Sequence, residues 1–181
     1  NNAAKQTIPE LIDVPSLALL PEGSLGNELY RMLVDNNFDA EVLDREVIVL
    51  ANLTPALRYL NTRILQMHDV WHLAAGYKTT SLHEIAISAF QLAQFGHNYS
   101  SMFLATVVTM SCCKTPAGFG LLVQNISEAW RHGRAAPPLM EIDWESEWHQ
   151  RAEDIRQRHG LEAFKGSFPA DLLEQLAAAA A

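Results

Sequence analysis

The residues best suited to chemistry lie in one stretch, His68-Asp69-Val70-Trp71-His72, with Glu84 twelve positions beyond His72. Histidines four apart on a helix leave from the same face, so their imidazoles can share one cation at about 2.0–2.2 Å. Asp69 is a surface neighbour of His72 on that helix, and stands at the rim of the site as a ligand or as the group that orients an imidazole. On one unbroken helix Glu84 would lie roughly 160° around from His68, outside the cluster. A break at Gly76 and an antiparallel second helix would bring it back. Two histidines with one or two carboxylates suit a borderline or hard divalent cation, with positions left for water or substrate.

Each residue also has a structural explanation. One histidine on an apolar helix face is ordinarily a hydrogen-bonded core residue; two at this spacing both need partners, and a metal supplies one to each. Ser81-x-x-Glu84 matches a capping box, in which the glutamate returns to the N–H of the cap residue. Spacing leaves both roles of Glu84 open. His83, His97, His132, His149 and His159 share no such spacing and read as surface or cap-adjacent residues.

The elements that must position these groups are helical. Thr54-Pro55 is a hydroxyl-proline helix entry, and the helix runs to about Ala75 before Gly76 stops it. Leu57, Leu60, Ile64, His68, Trp71, His72 and Ala75 share one face, with Thr62, Arg63 and Gln66 turned away. The next helix opens at Ser81 and ends before Gly96. Upstream, Pro9, Pro15 and Pro21 give an extended arm with a turn, followed by a helix over 25–35. Downstream, helices are expected over 101–110, from Thr115-Pro116 to His132 with Gly133 as its stop, and over 144–159. Val47 to Leu50 fits a short strand or a helix extension. The fold predicted is all-α, a single domain of packed antiparallel helices. Residues 1–24 form the arm, 25–160 the domain with the metal site, and 161–181 a tail.

Composition narrows the function classes. With 181 residues, 49% of them hydrophobic and 19% charged, the chain is neither disordered nor a disulfide scaffold. The 13 basic residues against 21 acidic ones give a net charge of −8, and no basic patch opposes it, which excludes a nucleic-acid backbone as partner. Cys112 and Cys113 are adjacent, too close for an ordinary disulfide, and point to a reducing compartment. The strongest apolar run, Met102 to Val108, is far shorter than the ~18 residues of a membrane span, so any membrane contact is expected to be peripheral. No secretory-signal pattern is visible at the N-terminus. Trp144 and Trp148 read as core or interface anchors, compatible with a homodimer.

The segment from His68 to Glu84 resembles the H-D-x-x-H, eleven residues, E pattern of the ubiquinone (coenzyme Q) biosynthesis protein 4 family. Other pieces agree in order: the stretch from Leu20 to Gly26, Arg63 five residues before His68, Ala129-Trp130-Arg131 with Gly133-Arg134, Pro137-Pro138-Leu139, and Asp143-Trp144-Glu145 with Trp148. One departure is His83, where the family usually has glycine before the motif glutamate. The resemblance implies an all-α fold and a metal held by His68, Asp69, His72 and Glu84, with zinc expected and magnesium, manganese, iron or cobalt as alternatives.

The same resemblance implies work on the head group of a prenylated quinone precursor at a membrane surface, on the cytoplasmic face in a bacterium or the matrix side of the mitochondrial inner membrane. The implied reaction is oxidative replacement of the ring carboxylate at C1 by a hydroxyl, with Asp69 or Glu84 moving a proton. Phe90, Met102, Phe103 and Leu104 are candidates for lining an apolar groove for the isoprenoid tail. Other quinone-biosynthesis proteins are the implied partners. A second reading is a non-enzymatic prenyl-lipid-binding scaffold that presents intermediates to those enzymes. A third, a metal phosphohydrolase suggested by the His68-Asp69 pair, would want a histidine well upstream, and none precedes His68.

Overall fold

The computed structural model describes residues 10–38 and 52–180. Among these are eight α-helices: α1 (Val14–Leu17), α2 (Leu25–Asp35), α3 (Pro55–Ala75), α4 (Ser81–Phe95), α5 (Asn98–Lys114), α6 (Phe119–Ala135), α7 (Ala152–His159) and α8 (Leu172–Ala180). The described residues contain no strand, and their β-type pairing is one isolated bridge between Ser24 and Arg151. The all-α expectation therefore holds. Val47 to Leu50 lies outside the described residues. Contacts divide the chain into two compact units, 1–74 with 140–158 and 75–139 with 159–181.

In the first unit the Ser24 hydroxyl accepts the Asn27 N–H and caps α2. The next two N–H groups, which a helix start leaves without intrahelical partners, donate to Gln150 O (Leu25, 2.7 Å) and Trp148 O (Gly26, 3.0 Å). This explains why 144–159 is not one helix. Trp144–Glu147 is a 3-10 turn and α7 begins only at Ala152, because the carbonyls between serve the start of α2. The arm is also less extended than expected, since α1 makes one turn within it. Arg156 donates to Leu73 O (3.2 Å) and Ala74 O (3.1 Å), placing a cation on the last carbonyls of α3.

In the second unit α4 is buried along most of its length, with α5, α6 and α8 against it. Gly133 is not a stop but an interior residue of α6. A Cβ there would stand 2.7 Å from Phe90 O and 2.9 Å from the Ala93 Cβ, so its missing side chain lets the two helices touch. Asn125 donates to Leu82 O (2.9 Å), and Gln94 donates to Gly133 O (2.6 Å) while accepting the Leu139 N–H (3.2 Å). α5 extends beyond the expected 101–110 at both ends.

The residues after Gly160 are bound into this unit. Phe164 donates its N–H to Ala75 O (2.8 Å), Thr80 its hydroxyl to Ala170 O (2.7 Å), and Ser167 its N–H and hydroxyl to Glu128 (2.9 and 2.6 Å). Burial opposes ionisation of the Glu128 carboxyl, but these two hydrogen bonds, with one from Gln124 and the charge of Arg131, together hold it below its ordinary range. Gly76 has φ +77°, as a left-handed stop requires, and Ala163 lies 2.9 Å from where its Cβ would be.

Candidate metal centre

α3 starts as its sequence dictates, with Pro55 as first residue and the Thr54 hydroxyl accepting the Leu57 N–H (3.4 Å). Its later turns are more buried than the expected stripe: Thr62, Arg63 and Gln66 are buried too, and Leu57 is exposed. The reason is pairing. Arg63 donates to Gln66 Oε1 (3.0 Å) and through both terminal nitrogens to Glu145, the second bond at 2.7 Å. Burial opposes ionisation of Glu145, but the bonds and charge of Arg63 outweigh it and hold the carboxyl below the ordinary range. The helix that carries the motif is thus clamped one turn before it.

That helix brings His68, Asp69 and His72 together, with one ligand atom from each within 4.8 Å of the others. The Nε2 atoms of the two histidines are 3.1 Å apart, and the rings stand edge to face at 4.7 Å and 73°. Two nitrogens at about 2.05 Å from one ion are separated by about 3.3 Å at a tetrahedral angle and about 2.9 Å at a right angle. The observed separation falls between these, so the two imidazoles fit a divalent ion without rebuilding the helix, with the Asp69 carboxylate beside them. His72 is buried, whereas His68 and Asp69 are half-buried.

Glu84 lies on α4, in the second unit. The cap of that helix is Thr80, not Ser81, and the Ser81 N–H donates to Glu174 Oε1 (2.8 Å). Its hydrogen bonds hold the Glu174 carboxyl below the ordinary range. The capping box expected of Ser81 and Glu84 is therefore not formed: the backbone donor it needs is held by another carboxylate. His83, expected at the surface, is buried and accepts the Lys78 N–H on Nδ1 (2.9 Å).

The four residues expected to line a groove do not share a surface. Phe90 is fully buried, Leu104 is 6% exposed and Met102 is 66% exposed. Phe103 is half-buried and stacks parallel to Tyr99 at 6.5 Å. Positions 102 and 104 lie about 200° apart on a helix, so one groove cannot take both.

Spacing gave no sign of a second polar cluster. The buried Tyr77 hydroxyl is 2.8 Å from His132 Nδ1, and His132 Nε2 is 2.8 Å from Glu162 O. A carbonyl only accepts, so Nε2 carries the proton and Tyr77 donates to Nδ1. Burial pushes the Tyr77 phenol far above its ordinary value, keeping it a neutral donor. Phe164 stacks on the Tyr77 ring at 4.5 Å, and Phe90 meets it edge-on at 5.6 Å. The one local hint was Tyr77 following a left-handed glycine; its hydrogen-bond partner His132 lies 55 residues away.

Comparison with known proteins places the chain in a wider group. The family model for coenzyme Q (ubiquinone) biosynthesis protein Coq4 matches residues 5–165. A Culex quinquefasciatus protein, ubiquinone biosynthesis protein COQ4 homolog 1, mitochondrial, is 28% identical over 156 residues, 83% of this chain and 52% of its own length. The Homo sapiens COQ4 homolog, also named as mitochondrial, is 28% identical over 163 residues, 84% of this chain and 56% of its own. The chain thus spans about half the length of these relatives. A crystal structure from Nostoc punctiforme, of a protein named for ubiquinone biosynthesis, superposes with a TM-score of 0.71 at 28% identity, covering 89% of this chain and 73% of that one. With the family model matched over most of its length, the chain belongs to the Coq4 family of coenzyme Q (ubiquinone) biosynthesis proteins.

Proposed function

We propose that the chain acts in ubiquinone biosynthesis on the head group of a polyprenylated precursor, through a divalent ion held by His68, Asp69 and His72. The observation that carries this is the pair of imidazole nitrogens 3.1 Å apart with a carboxylate beside them, within the stretch that the family model matches. Zinc is the proposed ion, with magnesium, manganese, iron and cobalt as alternatives. Bound there, a divalent ion supplies Lewis-acid stabilisation of charge on a ring carboxylate or phenolate.

The residues divide the remaining work. His72, buried, is the fixed inner ligand, and the clamp from Arg63 to Glu145 keeps its helix in place. His68 and Asp69 are half-buried and are the residues a head group would meet first. Asp69 is the proposed proton carrier at the ring. Glu84 keeps the ligand or proton-carrying role that the family motif implies, on the strength of the motif alone. The proposed reaction is an oxidation: the bond from ring C1 to the carboxylate breaks as CO2 leaves, water supplies the hydroxyl oxygen, and a two-electron acceptor such as dioxygen takes up the two electrons and two protons. No helix among the described residues is long and apolar enough to cross a membrane, and the reading has the chain meet its lipid substrate at a membrane surface, beside other quinone-biosynthesis proteins.

The test combines metal analysis of the purified chain with turnover of a prenylated hydroxybenzoate. Metal-loaded protein should convert it, and His68→Ala and His72→Ala should abolish both metal content and turnover while helicity is kept. Turnover that survives chelation would overturn the reading. Prenyl-lipid binding without turnover, whichever of the five metals is loaded, would replace it with the scaffold.

A further inference from the structure

The two histidines of the metal centre are not held equally by their own helix. His68 has a full helical turn after it, whereas His72 stands in the last turn of α3, which ends at Ala75. Helix ends fray, because their final carbonyls have no partners within the helix. The 3.1 Å between the two Nε2 atoms needs helical backbone through residue 72, so an opened last turn would carry one ligand away from the other.

This end is closed from outside. Nη1 of Arg156 donates to both Leu73 O (3.2 Å) and Ala74 O (3.1 Å), and the Phe164 N–H donates to Ala75 O (2.8 Å). Ala74 is fully buried, so a carbonyl released there would be stranded away from water. The guanidinium charge also faces the negative end of the helix dipole. Arg156 leaves α7 beside the fully buried Ile155, and 18% of its side chain is exposed. Its other terminal nitrogen donates to Glu153 (3.1 Å). That carboxylate is 69% exposed, and so exposed a pair holds an arginine weakly. The carbonyls of α3 are what fix the guanidinium in place.

We propose that Arg156 is a positioning residue of the metal centre, which holds the last turn of α3 closed and so keeps the His72 imidazole beside that of His68. The proposal rests on the reading of His68, Asp69 and His72 as metal ligands. It assigns Arg156 a different task from Arg63, whose bonds to Glu145 act before the motif and leave its far end untouched.

The experiment is titration of the whole chain with cobalt(II) or zinc(II) alone. Arg156→Met keeps the long stem but loses the charge and the donors. It should raise the Kd of either ion by roughly 10-fold or more and alter the visible absorption of bound cobalt(II), which follows the number of its ligands. Arg156→Lys should recover most of the affinity, because one nitrogen serves both carbonyls and an ammonium carries three donors. Arg158→Met is the control on the same helix: Arg158 pairs with Glu147 and Gln150 and not with α3, so this variant should melt earlier with an unchanged metal Kd. In metal-free wild type, the amides of residues 73–75 should exchange as slowly as those at the centre of α3.

Wild-type affinity in Arg156→Met would overturn the proposal, as would an equal loss of affinity in Arg158→Met or a lysine that recovers nothing. Fast amide exchange at 73–75 in wild type would overturn it whether or not the variants fold. A wild type that binds neither ion would take the proposed function down as well, whereas the other failures leave a chain that binds metal and end this proposal alone.

Discussion

His68 and His72 were legible from the sequence because one helix carries both, and four-residue spacing is a local signal. Tyr77 and His132 were not, because their contact is made only when the connection between α3 and α4 packs against α6. That contact carries a pH dependence. Burial holds His132 below the ordinary histidine value against the opposing pull of Glu162. Protonating Nδ1 would remove the acceptor of the Tyr77 hydroxyl. The unfolded chain then binds more protons than the folded one in the range just below about pH 6.5, so stability should be fully present above that pH and fall as acid titrates His132. Chemical denaturation from pH 7.5 to 5 should show this loss in wild type, and a flatter profile in His132→Gln, which can still donate to Glu162 O. An unchanged profile would mean that the tautomer assigned to His132 is not what holds the cluster.

At the scale of elements, caps were the readable part. Thr54-Pro55 and Gly76 each act where their chemistry requires, and α2 and α3 follow the expected bounds. Two readings failed because a local signal had a non-local use. Trp144, Trp148 and Ile155 have helical spacing, yet the peptide groups between them turn to the first N–H groups of α2. Gly133 stands before Pro137-Pro138 as a stop would, yet its role is contact with Phe90. Two glycines of α6 therefore offer a matched pair. Gly120→Ala has nothing within 4 Å of the new methyl and should stabilise by up to about 1 kcal/mol through helix propensity. Gly133→Ala gains the same propensity but drives a methyl against Phe90 O, and should be destabilising by about 1–3 kcal/mol. Equilibrium unfolding of the two variants checks the sign of each.

For the whole molecule, a segment set aside on sequence proves to be part of a core. Leu161 and Phe164 are 3% and 9% exposed, and the hydrogen bonds of 161–180 reach Ala75, Thr80, Ser81, Glu128 and His132. A chain ending at Gly160 should lose more than about 3 kcal/mol, the scale of one buried aromatic. Amide exchange should accelerate in α4 and α6 while α2 keeps its protection. The alanine-rich end gave no hint of this, because the anchoring residues are spread among polar ones and their partners are distant in sequence. Net charge is likewise an average that hides its distribution. Close to the isoelectric point of about 5.3 the mutual repulsion between molecules vanishes, while exposed apolar side chains such as Met102 and Leu57 stay as sticky as before. Mild acid is thus the condition under which concentrated solutions of this chain turn cloudy first, and alkaline buffer at low salt the one that keeps them clear.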